Sequence, residues 1–314
     1  MKKGILKGLV ALAVVTLASN IKAQDYFNIS QYMVHQPFVN PAAIGSYGTL
    51  NGAALYRQQW VGLDGAPSTQ AINVNSPISI SNSNLGFSII RDQIGVNNKI
   101  DLSVNYAYNL TLNQNSKLAF GLAGMAVLNQ SNFAQAEVND ANDPLFANNT
   151  RMHVMPNFQY GMYYYTNKMY VGVSLPKLLV NSVTSDSTST DKATTKFDFR
   201  QMHYYINAGY KMELNESLDL NLSTLLKQVS GAPFQFDLNA QVVFSKKLGV
   251  GLSYRSSKEI VGLLSYQINE MFKLAYSYDF SLSNVGAYHS GSHEIMLLFK
   301  MPTREPLLIE PPRF

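Results

Sequence analysis

The chain has 314 residues, of which 46% are hydrophobic and only 14% are charged, against roughly a quarter charged in ordinary soluble domains. Its 16 Phe, 19 Tyr and many aliphatic residues exclude a disordered chain, and a mean hydropathy of -0.06 excludes a polytopic helical membrane protein. The absence of cysteine excludes disulfides, thiolate metal sites and cysteine nucleophiles. We expect a folded chain that carries unusually few charges.

The first 23 residues have the features of a secretory signal peptide in their usual order. Met1-Lys2-Lys3 is basic, an apolar run extends from Leu9 to Ala18, and Ala23 supplies a small residue before a cleavage point at Gln24. The apolar run is too short to span a bilayer, which takes roughly 20 residues. Four of the 24 basic residues and no acidic residue lie in this segment, which leaves 20 of each sign in the mature chain. A near-neutral mature chain does not favour nucleic acid as a partner.

Alternation of apolar and polar residues predicts unusually long strands. The even positions of 100–110 are Ile, Leu, Val, Tyr, Tyr and Leu, and the odd positions between them are mainly polar. The same period recurs at 202–212, 234–244 and 272–282. No other stretch approaches 18 apolar residues, so any membrane integration after the signal segment must use strands.

Fourteen strands are predicted, in an all-β, transmembrane, antiparallel up-and-down β-barrel. Twelve or sixteen strands stay possible, because Pro77 and the Ser/Asn-rich stretch 79–84 interrupt the second and third. The predicted strands are 50–60, 68–77, 84–92, 99–111, 117–128, 155–165, 169–175, 199–213, 217–227, 234–245, 248–256, 260–268, 271–282 and 292–301.

The connections between these strands predict an orientation. Outer-membrane barrels have short periplasmic turns that alternate with longer extracellular loops. Every second connection is short, namely 112–116, 166–168, 214–216, 246–247 and 269–270. The two longest connections, 129–151 and 176–198, lie among the alternate set, which would face the cell exterior. We therefore expect both chain termini on the periplasmic side.

The strands of a soluble β-sandwich also alternate apolar and polar residues, which makes that fold the alternative. Strands of ten to twelve residues and the signal segment favour the barrel.

Charge separates the two faces of the predicted strands. The outward rows contain almost no charge, because hydrocarbon contact at the midplane costs a Lys or Arg roughly 2–4 kcal/mol. We expect a hydrated lumen, without strong ion selectivity, to hold the opposite face. That face carries Asp101, Lys211, Asp219, Lys227, Asp237, Arg255, Lys273, Asp279 and Lys300.

A lead-in segment, residues 24–48, precedes the barrel region 49–301 and lacks a clean period. Pro41 restricts the preceding residue to extended conformations, and Gly45 and Gly48 permit positive φ, so this segment can turn sharply into the first strand. Arg57 should point inward, either to a salt bridge with lumenal acids or to the lead-in segment. The single Trp, Trp60, is expected at the membrane interface.

Two sequence blocks carry a family resemblance. An Asn-Pro-Ala turn within 31–46 and a Gln-Trp-x-Gly-x-x-Gly-x-Pro hairpin within 56–70 resemble the N-terminal signature of the PorP/SprF family of outer-membrane proteins of the type IX secretion system. The candidate site residues taken from this motif, for structure or for partner contact, are Asn40, Pro41, Ala42, Gly45, Arg57, Gln59, Trp60, Gly62, Asp64, Gly65 and Pro67.

The resemblance implies a non-enzymatic role in secretion and, in some members, in holding an exported adhesin at the cell surface for gliding motility. It implies three kinds of partner: outer-membrane lipid, a secreted surface protein or adhesin, and periplasmic components of the type IX system. It implies no enzymatic activity and therefore no catalytic residue. We expect neither a cofactor nor a metal. A channel for small or hydrophobic solutes is the alternative that a barrel of this size equally permits.

Motifs for chemistry are sparse. His289 to Glu294 places two histidines and an acid together, but the spacing is not His-Glu-x-x-His and the stretch runs from a loop into a strand. An outer-membrane hydrolase is a third possibility, with His153, His203 and His289 as candidate bases, although no nucleophile motif accompanies them. We expect hydrated polar residues at these positions.

The tail, residues 302–314, contains four prolines and cannot extend a strand ladder. We expect an extended periplasmic strap or a disordered end. In the first case Leu307, Leu308 and Ile309 are apolar anchors, either for periplasmic secretion machinery or for the inner mouth of the barrel itself.

Overall fold

The computed structural model describes residues 28–78, 82–133, 150–184, 192–229, 232–302, 309–312 and 314. The expected signal peptide, the possible anchors Leu307 and Leu308, and the middle parts of the two longest connections lie outside the described residues. Within the described ranges, no helix is long and apolar enough to cross a membrane.

The described chain forms sixteen strands, fourteen of which close into one antiparallel barrel. The other two, β8 and β9, pair with each other as a separate hairpin. The strands are β1 Asn51–Gln58, β2 Ser68–Pro77, β3 Ser83–Ile94, β4 Asn97–Asn113, β5 Ser116–Ser131, β6 His153–Tyr165, β7 Met169–Leu175, β8 Leu179–Thr184, β9 Lys192–Phe197, β10 His203–Asn215, β11 Leu218–Val229, β12 Gln235–Phe244, β13 Leu248–Arg255, β14 Glu259–Gln267, β15 Phe272–Ser281 and β16 Ser292–Lys300.

Strand neighbours in the barrel follow the chain order, and β1 closes the ring by pairing with β16. Buried and less buried residues alternate along the strands, as in β10, where every second residue from His203 to Gly209 is buried. This period of two gives the wall an apolar outer face and a polar inner face. The predicted fold class and the count of fourteen barrel strands are confirmed.

Two local expectations are wrong, both in the connection between β7 and β10. The predicted strand from residue 199 begins only at His203, because Phe199–Gln201 form a 3-10 turn. The Asp198 carboxylate accepts the N–H of Arg200 at 3.0 Å and holds that turn. The connection also contains the β8–β9 hairpin, where the sequence predicts only a loop.

The two ends of the barrel differ in their connections. The turn end is the end at which β2 joins β3, β4 joins β5, β6 joins β7, β10 joins β11, β12 joins β13 and β14 joins β15. The loop end is the opposite end and carries the connections 132–152 and 176–202, which are the two longest. The two longest connections therefore lie at the end opposite the short turns, as the sequence predicts.

Residues 28–48, the lumenal segment, run through the inside of the barrel. All of 29–47 is buried, and the segment contains two short 3-10 turns, Gln36–Phe38 and Pro41–Ala43. Its apolar side chains, among them Tyr32 and Phe38, pack in one core with Tyr163, Tyr170 and Phe314. The lead-in is loop-rich as expected, but it lies inside the lumen rather than simply preceding the first strand.

The described chain starts and finishes in opposite halves of the barrel. Asn28 accepts a hydrogen bond from Lys227 Nζ at 2.9 Å, near the point where β11 reaches the loop end. Phe314 packs on Tyr170, at the start of β7 at the turn end. The sequence predicts both termini at the turn end. Asn28 lies near the loop end, where Lys227 binds it, and residues 1–27 lie outside the described residues.

Candidate functional site

Inward side chains from five strands meet in a buried ionic cluster, which consists of Arg57, Asp237, Arg255, Asp279 and Glu294. Arg57 Nη2 lies 2.6 Å from Asp279 Oδ2, and Arg57 Nη1 lies 3.2 Å from Glu294 Oε2. Arg255 Nε lies 3.2 Å from Asp237 Oδ1, and its Nη1 lies 3.4 Å from Asp279 Oδ2. All five side chains are at most 3% exposed.

Strand register explains why these charges meet. Arg57 of β1 is directly opposite Glu294 of β16, and Arg255 of β13 is directly opposite Asp237 of β12. Directly opposite residues on neighbouring strands have Cβ atoms only about 4.5–5.5 Å apart, so each arginine starts beside an acid. Asp279 of β15 then lies within reach of both guanidinium groups and joins the two pairs.

Ser30 of the lumenal segment lies in the middle of the cluster. Its hydroxyl donates to Asp279 Oδ2 at 2.7 Å and accepts from Arg57 Nη1 at 2.9 Å and from Arg255 Nη2 at 3.0 Å. The backbone N–H groups of Ser30 and Gln31 donate to the two oxygens of Glu294, each at 2.9 Å. The cluster therefore binds the lumenal segment through its backbone and through one small side chain.

This arrangement corrects the expectation of a hydrated lumen at these positions. Asp237, Arg255 and Asp279 are nearly inaccessible to solvent, and their partners are other charges and the lumenal segment. Buried charges cost several kcal/mol each in desolvation unless they are paired and hydrogen-bonded. The cluster therefore stabilises the barrel only while both its own ion pairs and the contacts to Ser30 are intact. Two contacts are predicted as alternatives for Arg57, and it makes both: a salt bridge with lumenal acids and a hydrogen bond to Ser30 of the lead-in.

The Asn-Pro-Ala block forms the middle anchor of the lumenal segment. Asn40 Oδ1 accepts the N–H of Ala42 at 2.9 Å and caps the 3-10 turn that starts at Pro41. Asn40 Nδ2 donates to the carbonyl of Met162 in β6 at 2.9 Å and more weakly to that of Val173 in β7 at 3.4 Å. One side chain thus shapes the turn and joins it to the barrel wall.

Glycines on three adjacent strands make room for this turn. A Cβ on Gly121 of β5 would lie 2.3 Å from the backbone nitrogen of Ala42, and one on Gly161 of β6 would lie 2.1 Å from Asn40 Oδ1. A Cβ on Gly172 of β7 would lie 2.7 Å from Asn40 Nδ2. Sequence reasoning missed this glycine slot, although glycine within a strand is itself a signal of close backbone approach.

The lumenal segment leaves the barrel at the turn end through a second tight contact. Gly45 has a φ of 70°, and its N–H donates to Asn75 Oδ1 at 3.0 Å. A Cβ at this position would lie 1.8 Å from Asn84 Oδ1. Only glycine can adopt the left-handed backbone conformation here without a Cβ that clashes with Asn84, which accounts for Gly45 in the motif.

The second sequence block lies elsewhere, in the connection from β1 to β2 at the loop end. The Gln59 N–H donates to the Pro67 carbonyl at 2.9 Å, and Gly62 and Gly65 have φ values of 94° and 70°. The motif residues Gly62, Asp64 and Gly65 are exposed. The backbone N–H of Trp60 donates to Ser292 Oγ at 3.2 Å, and its ring lies 6.2 Å from that of His289.

The candidate motif residues therefore do not form one site. Asn40, Pro41, Ala42 and Gly45 lie in the lumenal segment, and Arg57 belongs to the ionic cluster that holds the start of that segment. The remaining motif residues are Gln59, Trp60, Gly62, Asp64, Gly65 and Pro67. They lie in the connection from β1 to β2 at the loop end, where Pro67 is buried, Gln59 and Trp60 are half-buried and the other three are exposed.

The described part of the tail returns into the turn end of the barrel. Ile309 and Phe314 are buried, and the Phe314 ring lies 5.5 Å from that of Tyr170. Lys273 Nζ donates to the Phe314 carbonyl, and Lys300 Nζ lies 2.6 Å from Glu310 Oε1. Ile309 belongs to the same buried core as Tyr170 and Phe314, at the barrel's own mouth.

The candidate bases lie apart from one another. His203 is buried with its ring 6.5 Å from that of Tyr205, His289 lies beside Trp60, and His153 begins β6. In the ranges that the structure describes, no three His, Cys, Asp or Glu side chains are grouped so as to hold a metal ion.

Solved structures that are similar to this chain include the following two. The CymD monoaromatic hydrocarbon channel has a TM-score of 0.50 at 10% sequence identity, with 90% of this chain and 96% of that chain covered. The toluene transporter TbuX of Ralstonia pickettii has a TM-score of 0.48 at 10% identity, with 86% and 93% covered. At such identities the CymD likeness shows the barrel fold alone. No curated protein sequence matches the chain significantly.

The family model for the type IX secretion system membrane protein PorP/SprF matches residues 21–299, which include both signature blocks and the whole of β1 to β15. A closed barrel with an apolar outer wall is the architecture of an outer-membrane protein. The chain therefore belongs to the PorP/SprF family and is an outer-membrane component of type IX secretion.

Proposed function

We propose that this barrel is a closed, non-enzymatic accessory that assists the secretion or the cell-surface attachment of exported proteins, such as adhesins that serve gliding motility. Family membership supports the link to secretion. The observation that carries the proposal is the burial of residues 29–47 inside the barrel, with Ser30 bound by two arginines and two carboxylates.

A solute channel is the alternative, and the contents of the lumen argue against it. A conducting barrel needs a continuous water-filled path. Here the ionic cluster and Ser30 occupy the loop-end half, Asn40 occupies the glycine slot, and Phe314 packs on Tyr170 at the turn end. Successive contacts on the inner wall therefore support a closed barrel.

The proposed topology follows from the lengths of the connections. Short turns face the periplasm in outer-membrane barrels and long loops face outward, so we assign the turn end to the periplasm and the loop end to the cell surface. Residues 1–23 are then the removed signal peptide, 24–48 the lead-in, 49–301 the barrel and 302–314 the periplasmic tail. An exported surface protein would bind at the loop end, and periplasmic secretion components would bind at the turn end.

Deletion and complementation test this function against the channel alternative. Cells that lack the chain should show less exported adhesin at their surface, by labelling of intact cells, while uptake of small and hydrophobic solutes stays unchanged. A plasmid copy of the chain should restore the surface protein. Unchanged surface display combined with a loss of solute uptake would overturn the proposal in favour of the channel.

A further inference from the structure

Arg91 is unusual among the residues of the barrel wall. In the described parts of the fourteen barrel strands, it is the only Asp, Glu, Lys or Arg side chain on the outward-facing rows. Its neighbour Ile90 is buried on the inner face, and Arg91 itself is half-buried among outward side chains. An arginine facing lipid at the midplane costs roughly 2–4 kcal/mol, which falls to about 0–1 kcal/mol near an interface.

Strand register places Arg91 at the border between apolar and polar rows. Arg91 is opposite Gln70 of β2, which is opposite Tyr56 of β1. The next outward row toward the loop end is polar on all four neighbouring strands and comprises Gln58, Ser68, Gln93 and Asn98. The next outward row toward the turn end is apolar and comprises Ala54, Ile72, Ile89 and Leu102. Arg91 therefore marks the loop-end border of the hydrocarbon zone.

An apolar groove of about 610 Å³ runs along the outer wall directly below Arg91. Ala54 supplies a small side chain in its floor, and Arg91, Gln70 and Tyr56 supply the polar groups at its loop-end rim. The remaining outward side chains along the groove are aliphatic, namely Ile72, Ile89, Ile100, Leu274, Ile295 and Leu297. A groove of this composition fits an acyl chain whose headgroup lies at the rim.

The guanidinium of Arg91 is available to an anion. Arg91 Nε donates to Asn98 Oδ1 at 3.0 Å and Nη2 donates to Gln93 Oε1 at 3.2 Å, and both acceptors are neutral amides. Among the described residues no carboxylate forms an ion pair with Arg91. The planar fork of an arginine matches a phosphate group in charge and geometry.

We propose that this groove binds one acyl chain of lipid A and that Arg91 binds a phosphate of the same molecule. Lipid A is the phosphorylated lipid of the outer leaflet, so the choice of this lipid rests on the proposed outward orientation of the loop end. The site is separate from the lumenal segment, because it lies on the opposite face of the wall.

Native mass spectrometry of the detergent-purified full-length barrel tests this site. With equimolar lipid A and phosphatidylglycerol, the wild-type chain should carry lipid A preferentially. Arg91→Gln should lower the lipid A adducts roughly tenfold, which is the size expected for a charge-assisted contact. Lys258→Gln makes the same change of charge at an exposed turn of the same end and should leave the adducts unchanged.

A second variant tests the groove without changing any charge. Ala54→Phe fills the floor of the groove at a lipid-facing position and should also lower lipid A binding, while heat-modifiable migration on gels shows that the barrel is assembled. Equal adducts in the wild type and in Arg91→Gln would overturn the site. Arg91-dependent binding that does not distinguish lipid A from phosphatidylglycerol would overturn its assignment to lipid A. Cysteine labelling of the two barrel ends tests the orientation separately.

Discussion

The guanidinium of Arg57 and the carboxylate of Asp279 meet at 2.6 Å inside the barrel, and both also hydrogen-bond to the hydroxyl of Ser30. Arg57 and Asp279 are 222 residues apart in sequence. Arg57 lies in β1 and Asp279 in β15, the two neighbours of β16, and β1 pairs with β16 only when the ring closes. The site that binds the lumenal segment is therefore complete only in the closed barrel.

Removing Arg57 should destabilise the protein strongly. Arg57→Ala leaves Asp279 and Glu294 buried with fewer compensating charges, and breaking a buried ion pair in this way costs about 3–5 kcal/mol. We expect a matching drop in the free energy of unfolding by urea in lipid vesicles. Arg200→Ala, at an exposed arginine, should change it by less than about 0.5 kcal/mol. Equal stability of the two variants would show that the cluster contributes nothing.

The glycine slot predicts a contrast between two glycines of the same strand. Gly121→Ala puts a methyl group against the backbone of Ala42, whereas Gly124 faces outward with nothing within 4 Å of an added Cβ. We expect Gly121→Ala, and not Gly124→Ala, to loosen the lumenal segment. Labelling of a cysteine introduced at Ser46 measures this, since the chain has no other cysteine. Equal labelling rates in the two variants would argue against a close fit at the slot.

Phe314 should fix the tail at the turn end. Phe314→Ala removes a buried ring that packs on Tyr170 and contacts the space left by Gly209, and such truncations cost about 3–5 kcal/mol in a packed core. We expect faster proteolytic removal of residues 303–314 with the barrel still heat-modifiable. Phe199→Ala, at an exposed phenylalanine, serves as the control. If the tail of Phe314→Ala is cut no faster than that of Phe199→Ala, the packing does not hold it.

The proposed orientation can be tested with single cysteines at exposed turns. Ser257→Cys lies at the loop end and Lys247→Cys at the turn end. A membrane-impermeant maleimide should label Ser257→Cys on intact cells and Lys247→Cys only after the outer membrane is permeabilised. The reverse pattern would invert the topology.

The wall of the barrel was readable from sequence because its outer face must be apolar. Each residue of the wall faces either lipid or the lumen. Alternation of apolar and polar residues, such as that of 100–110, therefore identifies each strand without knowing which strand pairs with it. Alternation does not predict the β8–β9 hairpin, because its strands are not part of the barrel sheet and have no lipid-facing row.

The sequence predicts only some features of the site that binds the lumenal segment. Arg57 was expected to point inward, but its meeting with Asp279 depends on closure of the ring and on the register of strands distant in sequence. Ser30 carries no pattern that distinguishes it from Ser46, the other serine of the lead-in. Gly121 and Gly161 did carry a signal, since they are glycines at inward strand positions that face each other across β5 and β6.

The conductance of the purified barrel in planar bilayers tests most directly whether the lumenal segment closes the lumen. We expect no stable single-channel current from the wild-type chain. A variant that lacks residues 28–44 and 303–314, and that is still heat-modifiable, should conduct, because the combined deletion removes Ser30 and the Asn40 turn from the lumen and Phe314 from the turn end. Large steady currents from the wild type, unchanged by the deletion, would contradict a closed barrel and would favour a channel.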